Sequence, residues 1–92
     1  MSTVWIPQVL RTNTGGAKQV DVEGSTVGDL VRGLIERHPA LGGQLLTPDG
    51  ELNRFVNVYV NGQDVRYLAM LDTPVGERDE VRILPAMAGG SR

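Results

Sequence analysis

Residues 55–66 read FVNVYVNGQDVR. Val56, Val58 and Val60 recur at every second position, with Phe55, Asn57 and Tyr59 on the alternate ones. Side chains along an extended chain point to opposite faces in turn, so this pattern predicts a strand with one apolar and one mixed face. Asn61-Gly62 follows, the dipeptide favoured in a two-residue hairpin turn. Gln63–Arg66 then predicts a short returning strand. Such a hairpin belongs in a larger sheet with one covered face.

Thr3–Ile6 (TVWI) is rich in β-formers and predicts a first strand, which Pro7 ends because proline has no donor for the ladder. Arg11–Lys18 is a turn cluster with Gly15-Gly16 at its tip. No helix follows that glycine pair directly, so it is a turn and not a phosphate cradle. Gln19–Gly24 alternates Val20 and Val22 with polar residues and completes a first hairpin. In Ser25–Pro39, Val27, Leu30, Val31, Leu34 and Ile35 form one apolar helical stripe. Ser25 or Thr26 suits the N-cap, Asp29 the first turn, and Arg37 and His38 the last turn before Pro39 stops the helix. Leu41–Leu46 predicts a short covering turn, Thr47–Glu51 a surface turn, and Leu71–Asp79 a turn-rich connection. Glu80–Pro85 predicts the last strand.

The order β-β-α-β-β-β predicts an α+β domain: a mixed sheet of four to five strands with one main amphipathic helix on one face. The helix between hairpin and returning strand implies a right-handed crossover beside the first strand. Ile83 and Leu84 are apolar on both faces, as an interior strand would be, so the last strand is expected at the centre. The expected division is a domain over residues 1–86 and a flexible tail over residues 87–92.

Ninety-two residues suffice for one domain. No cysteine is present, so disulfides, thiol nucleophiles and thiolate metal sites are excluded. Eleven acids stand against nine bases with no basic run, which argues against nucleic acid as a partner. Lys18 is the one lysine. The first residues, MSTVWIPQVLR, lack the pattern of a signal peptide, and no apolar run approaches membrane-spanning length, so the expected setting is the cytoplasm. His38 reads as a helix-end residue, and Asp72, Asp79 and Glu80 as solvated charges and not metal ligands.

The segments RFVNVYVNGQDVR and RDEVRILP, followed by AMAGG, resemble the ThiS/MoaD-type sulfur carrier proteins, which have the ubiquitin-like β-grasp fold. The resemblance runs over nearly the whole chain in order, and is strongest to the actinobacterial carriers of cysteine biosynthesis. It implies that an E1-like enzyme uses ATP to adenylate a C-terminal glycine carboxylate. Sulfur then replaces AMP to leave a thiocarboxylate. A second enzyme takes that sulfur; in the cysteine route this is a pyridoxal-phosphate-dependent synthase, and a zinc metalloprotease releases the product. On this chain the reacting residue would be Gly90, with Gly89 beside it. The chain itself would bind no cofactor, ATP being held by the activating enzyme, and would be a protein cosubstrate and not an enzyme.

Glycine suits that role because it lacks Cβ, passes a narrow channel and leaves the acyl carbon unhindered. One departure from the family pattern is that Ser91 and Arg92 follow Gly90. The implied step is proteolytic trimming between Gly90 and Ser91; the other readings are a vector-derived remnant, or a relative that never carries sulfur. A second departure is GERDEV, where relatives have Asp-Gly-Asp; Glu77 and Arg78 should alter a turn alone.

If Val4, Ile6, Val58, Val60, Val81 and Ile83 face the helix, then Trp5, Tyr59 and Leu84 face outward and form an interaction patch. A one-residue slip in register would exchange the two faces. The resemblance implies that the E1-like partner packs on this uncovered face and takes in the tail, including Met87 and Ala88. The alternative to a cysteine-route carrier is a ubiquitin-like modifier joined to lysines, or a carrier in thiamin or molybdopterin synthesis.

Overall fold

The computed structural model describes residues 1–85. Strand β1 (Ser2–Trp5) is followed by a 3-10 segment at Gln8–Thr14, strand β2 (Gln19–Val22), helix α1 (Val27–Arg37) and a short helix α2 (Gly42–Leu45). Strands β3 (Val56–Val60), β4 (Gln63–Asp64) and β5 (Glu80–Pro85) complete the chain, with 3-10 turns at Val65–Tyr67 and Met70–Asp72 between β4 and β5. Ala86, and the tail expected over residues 87–92, lie outside the described residues.

The five strands lie in the order β2-β1-β5-β3-β4. β1 and β5 are parallel; β1–β2, β3–β5 and β3–β4 are antiparallel. This is a mixed sheet with the last strand at its centre, the β-grasp arrangement. The core lies between one sheet face and α1. Val4, Val58 and Val81 are each 1% exposed, and Leu34 of α1 is 0% exposed. Ile6, Val20, Val22, Val60 and Ile83 join them. Gly33 lets helix and sheet meet: a Cβ there would lie 2.5 Å from Val22 Cγ1.

Local chemistry explains the elements. Asn61 and Gly62 have φ of 52° and 86°, the positive pair that a two-residue hairpin turn requires. Thr26 caps α1, its Oγ1 accepting from Asp29 N–H at 3.1 Å, while Asp29 Oδ2 accepts from Ser25 N–H at 3.1 Å. At the other end Arg37 Nη1 donates to Asp21 O at 2.7 Å, tying α1 to β2.

Four expectations are corrected. The strand after the helix, β3, does not lie beside β1; β5 stands between them and pairs with both. The returning strand ends at Asp64 and not at Arg66. Asp64 Oδ1 accepts from Arg66 N–H at 2.9 Å, which starts a 3-10 turn that sinks Val65 into the core. Between β1 and β2 the chain forms a 3-10 segment before its glycine tip, because Leu10 and Thr14 are buried and Thr14 Oγ1 bridges the Arg11 and Ala17 carbonyls at 3.1 Å each. Finally, β5 is central but covered on one face only: Ile83 is 2% exposed and Leu84 41%.

Candidate docking face and chain exit

The sheet face away from α1 carries the side chains that alternate with the core valines. Cross-strand register sets their positions. Trp5 of β1 and Tyr59 of β3 both lie opposite Arg82 of β5, which makes one row across the three inner strands. Leu84 lies opposite Asn57 in the next row, toward the end where β5 leaves the sheet. Trp5 and Tyr59 are half-buried and Leu84 is exposed. The structure therefore brings Trp5, Tyr59 and Leu84 to one face, as the alternation of valines predicted. Because Val4, Val58 and Val81 are buried opposite them, the register has not slipped.

Gly89, Gly90, Met87, Ala88 and Ser91 lie outside the described residues. What is described is the root of that segment. Pro85 ends β5 beside Val56 and borders a notch of about 310 Å³ that Val9 and Phe55 also line. Val9 and Phe55 are 65% and 56% exposed. The Arg54 guanidinium lies over the Phe55 ring at 5.1 Å. The chain thus leaves a central strand between a mixed polar–aromatic face and an apolar notch.

Sequence reasoning missed Arg82. Its guanidinium carbon sits 5.0 Å from the centre of the Trp5 ring, and its Nη2 donates to Glu80 Oε2 at 3.1 Å. The β1–β5 register was the missing information, since it joins residues from the two ends of the chain. The alternation of EVRIL placed Arg82 on the outward face, and that signal was available. Arg66 was read as strand and is instead a brace: it donates to Asn57 Oδ1 at 2.7 Å and to Asn53 O at 3.2 Å. Thr3 Oγ1 donates to Asp21 Oδ1 at 2.7 Å on the same face.

The start of β5 is held by a polar clasp. Asn61 Nδ2 donates to Asp79 Oδ1 at 2.9 Å, and Asn61 Oδ1 accepts from Glu80 N–H at 2.9 Å. Asp79 Oδ2 accepts from Gly76 N–H at 2.7 Å. The Asn61 amide, then the Gly76 N–H, hold the Asp79 carboxyl below the ordinary aspartate range. Asp79 is thus a structural ligand of the β3–β4 turn and more than a solvated charge. His38 caps the end of α1, its N–H donating to Leu34 O at 2.8 Å. Among the described residues no cluster of three or more His, Cys, Asp or Glu side chains is placed to hold a metal ion. Nor is any of their helices long and apolar enough to cross a membrane.

Comparison with known proteins agrees with this architecture. Residues 4–90 match the model of the ThiS family. The sulfur carrier protein CysO of Mycobacterium tuberculosis is 44% identical over 90 residues, covering 96% of this chain and 97% of that one. The small archaeal modifier protein 3 of Haloferax volcanii is 39% identical over 66 residues, covering 72% of this chain and 71% of that one. Among solved structures, the crystal structure of the Amycolatopsis orientalis BexX/CysO complex contains a chain that matches with a TM-score of 0.89 and 43% identity, over 98% of this chain and all of that one. With a family match over nearly its whole length and a sulfur carrier protein 44% identical over 96% of it, this chain belongs to the ThiS family.

Proposed function

We propose that this protein is a sulfur carrier whose Gly90, freed of Ser91 and Arg92, is adenylated by an E1-like enzyme and converted to a thiocarboxylate. The observation that carries the reading is that Gly89 and Gly90 follow four and five residues after the end of the central strand in sequence, in a ThiS-family chain 44% identical to a sulfur carrier protein. A carboxylate on such a segment can reach into another protein's site while the sheet face beside it docks. The described residues offer binding surface, and the bond-making groups belong to the partners.

The chemistry needs a free carboxylate. An oxygen of Gly90 attacks the α-phosphorus of ATP in the activating enzyme, and pyrophosphate leaves. A sulfur nucleophile then attacks the acyl carbon and AMP leaves. While Gly90 is joined to Ser91, that carboxylate does not exist. A protease, for which a metalloprotease is the family-based candidate, must therefore act first. The sulfur acceptor in this reading is a pyridoxal-phosphate-dependent synthase making cysteine, and the setting is the cytoplasm. That the Amycolatopsis orientalis relative is found in a complex with BexX supports a protein as the docking partner.

Expected outcome: the chain ending at Gly90 supports pyrophosphate release by the activating enzyme, and the chain ending at Arg92 does not. Pyrophosphate release at equal rates from both would overturn the requirement for trimming. Similarity to a small archaeal modifier protein supports a second reading, conjugation of Gly90 to lysines. Intact mass spectrometry of protein from its host separates the two. A carrier shows one oxygen replaced by sulfur; a modifier appears as adducts on other proteins.

A further inference from the structure

We propose that Arg82 selects and orients the activating enzyme, holding one aspartate or glutamate carboxylate of that enzyme at the centre of the uncovered sheet face. The inference rests on the carrier reading above. Apolar residues such as Trp5 and Leu84 supply area to an interface but little sense of rotation. A carrier that must feed a segment into a distant site needs a directional contact as well.

Arg82 is built for that. It stands in the row shared by Trp5 and Tyr59, at the middle of the three inner strands. Its side chain is 48% exposed. Stacking over Trp5 at 5.0 Å limits its rotamers and leaves the guanidinium edge free to donate. A guanidinium has five N–H donors. Among the described residues the one hydrogen-bond acceptor of the Arg82 side chain is Glu80 Oε2, 3.1 Å from Nη2. Arg66, a second cation bonded to Asn57 of this face, is in contrast committed within the chain through two bonds, to Asn57 and Asn53. Arg82 alone of the pair keeps a fork available for a planar, two-oxygen acceptor.

The neighbourhood selects a carboxylate over a phosphate. Glu80 lies beside Arg82, and Asp21 and Glu80 both sit opposite Thr3 in the row farther from the chain exit. Their negative charge would repel a doubly charged phosphate more than a singly charged carboxylate. The same acids give the face a direction: negative at the far row, cationic at the centre, apolar at Leu84 near the exit. A partner with its carboxylate opposite Arg82 docks in one rotation, with its tail-binding site on the Leu84 side.

The test uses the chain ending at Gly90 and the activating enzyme of the same host, with KM for the carrier, kcat for pyrophosphate release and the Tm of each variant. Arg82→Glu is expected to raise KM about tenfold or more with kcat within about twofold of wild type. Arg82→Lys, which keeps the charge but not the flat fork, should fall between. Added salt should raise the wild-type KM and leave that of Arg82→Gln nearly unchanged, at unchanged Tm; a merely structural role would not remove the salt dependence. An Arg82→Glu KM within twofold of wild type, with Leu84→Ala impaired, overturns this inference and leaves the docking face standing. Failure of the wild-type chain ending at Gly90 to be activated overturns the carrier reading and this inference together.

Discussion

Val58 and Leu84 are apolar residues on neighbouring strands, yet they belong to opposite faces. Val58 lies opposite Ile83 and is 1% exposed; Leu84 lies opposite Asn57 and is 41% exposed. Truncating a buried valine removes methyl burial and leaves a cavity, so Val58→Ala should destabilise folding by about 1–3 kcal/mol. Leu84→Ala should change folding by no more than about 0.5 kcal/mol, as surface substitutions do. It should instead weaken binding to the activating enzyme by ~2 kcal/mol, as truncating an apolar interface anchor does. Denaturant unfolding and partner titration on both variants check this, and unfolding of Leu84→Ala alongside Val58→Ala would contradict the assignment of faces. This distinction was legible from alternation alone, because a strand's side-chain period is two and the valines mark the buried phase. Arg82 was not legible in the same way. Its place on the face follows from alternation, but its stacking on Trp5 depends on which strand lies next to β5.

The helix shows how far local chemistry carries an element. Thr26, Asp29 and the apolar stripe defined α1 in the sequence, and α1 begins one residue after Thr26 as they require. The Ser25 N–H, then the Arg32 side chain, lower the Asp29 carboxyl from its ordinary range. A carboxyl held low in the folded state binds protons more readily when unfolded. Its stabilising effect is therefore present above the ordinary aspartate value and fades as pH falls through the folded one. Asp29→Asn is expected to unfold at lower denaturant than wild type at neutral pH, with the gap closing as pH drops below about 3.9. A gap that persists in acid would assign the loss to packing and not to charge. Elements set by side chain–backbone bonds were less legible. β4 stops because Asp64 bonds to Arg66 N–H, and the Gln8–Thr14 segment forms because Thr14 bridges two carbonyls. Neither event leaves a periodic trace, so one was read as strand and the other as plain turn.

At the scale of the whole molecule, the sheet is closed by its last strand. β5 pairs with β1 on one side and β3 on the other, so the β1–β2 and β3–β4 hairpins meet only through it. The apolar pair Ile83 and Leu84 made the central position legible. The crossover did not, because the placement of β3 depends on β5 arriving later in the chain. The consequence for stability is asymmetric. A chain ending at Pro85 keeps every described residue of the buried cluster, which among the described residues runs from Val4 to Ile83, and should unfold within about 0.5 kcal/mol of the full chain. A chain ending at Asp79 loses Val81 and Ile83, which are 1% and 2% exposed, and with them both ladders of β5. Two hairpins sharing one helix are left with unpaired inner edges and a gap where Val81 and Ile83 packed, so this shorter chain should show no cooperative unfolding transition. Urea titration followed by Trp5 fluorescence reads both chains. A cooperative transition in the chain ending at Asp79 would mean that the hairpins can close on each other without β5. A large loss of stability in the chain ending at Pro85 would mean that residues beyond Pro85 belong to the folded domain and are not held in reserve for a partner.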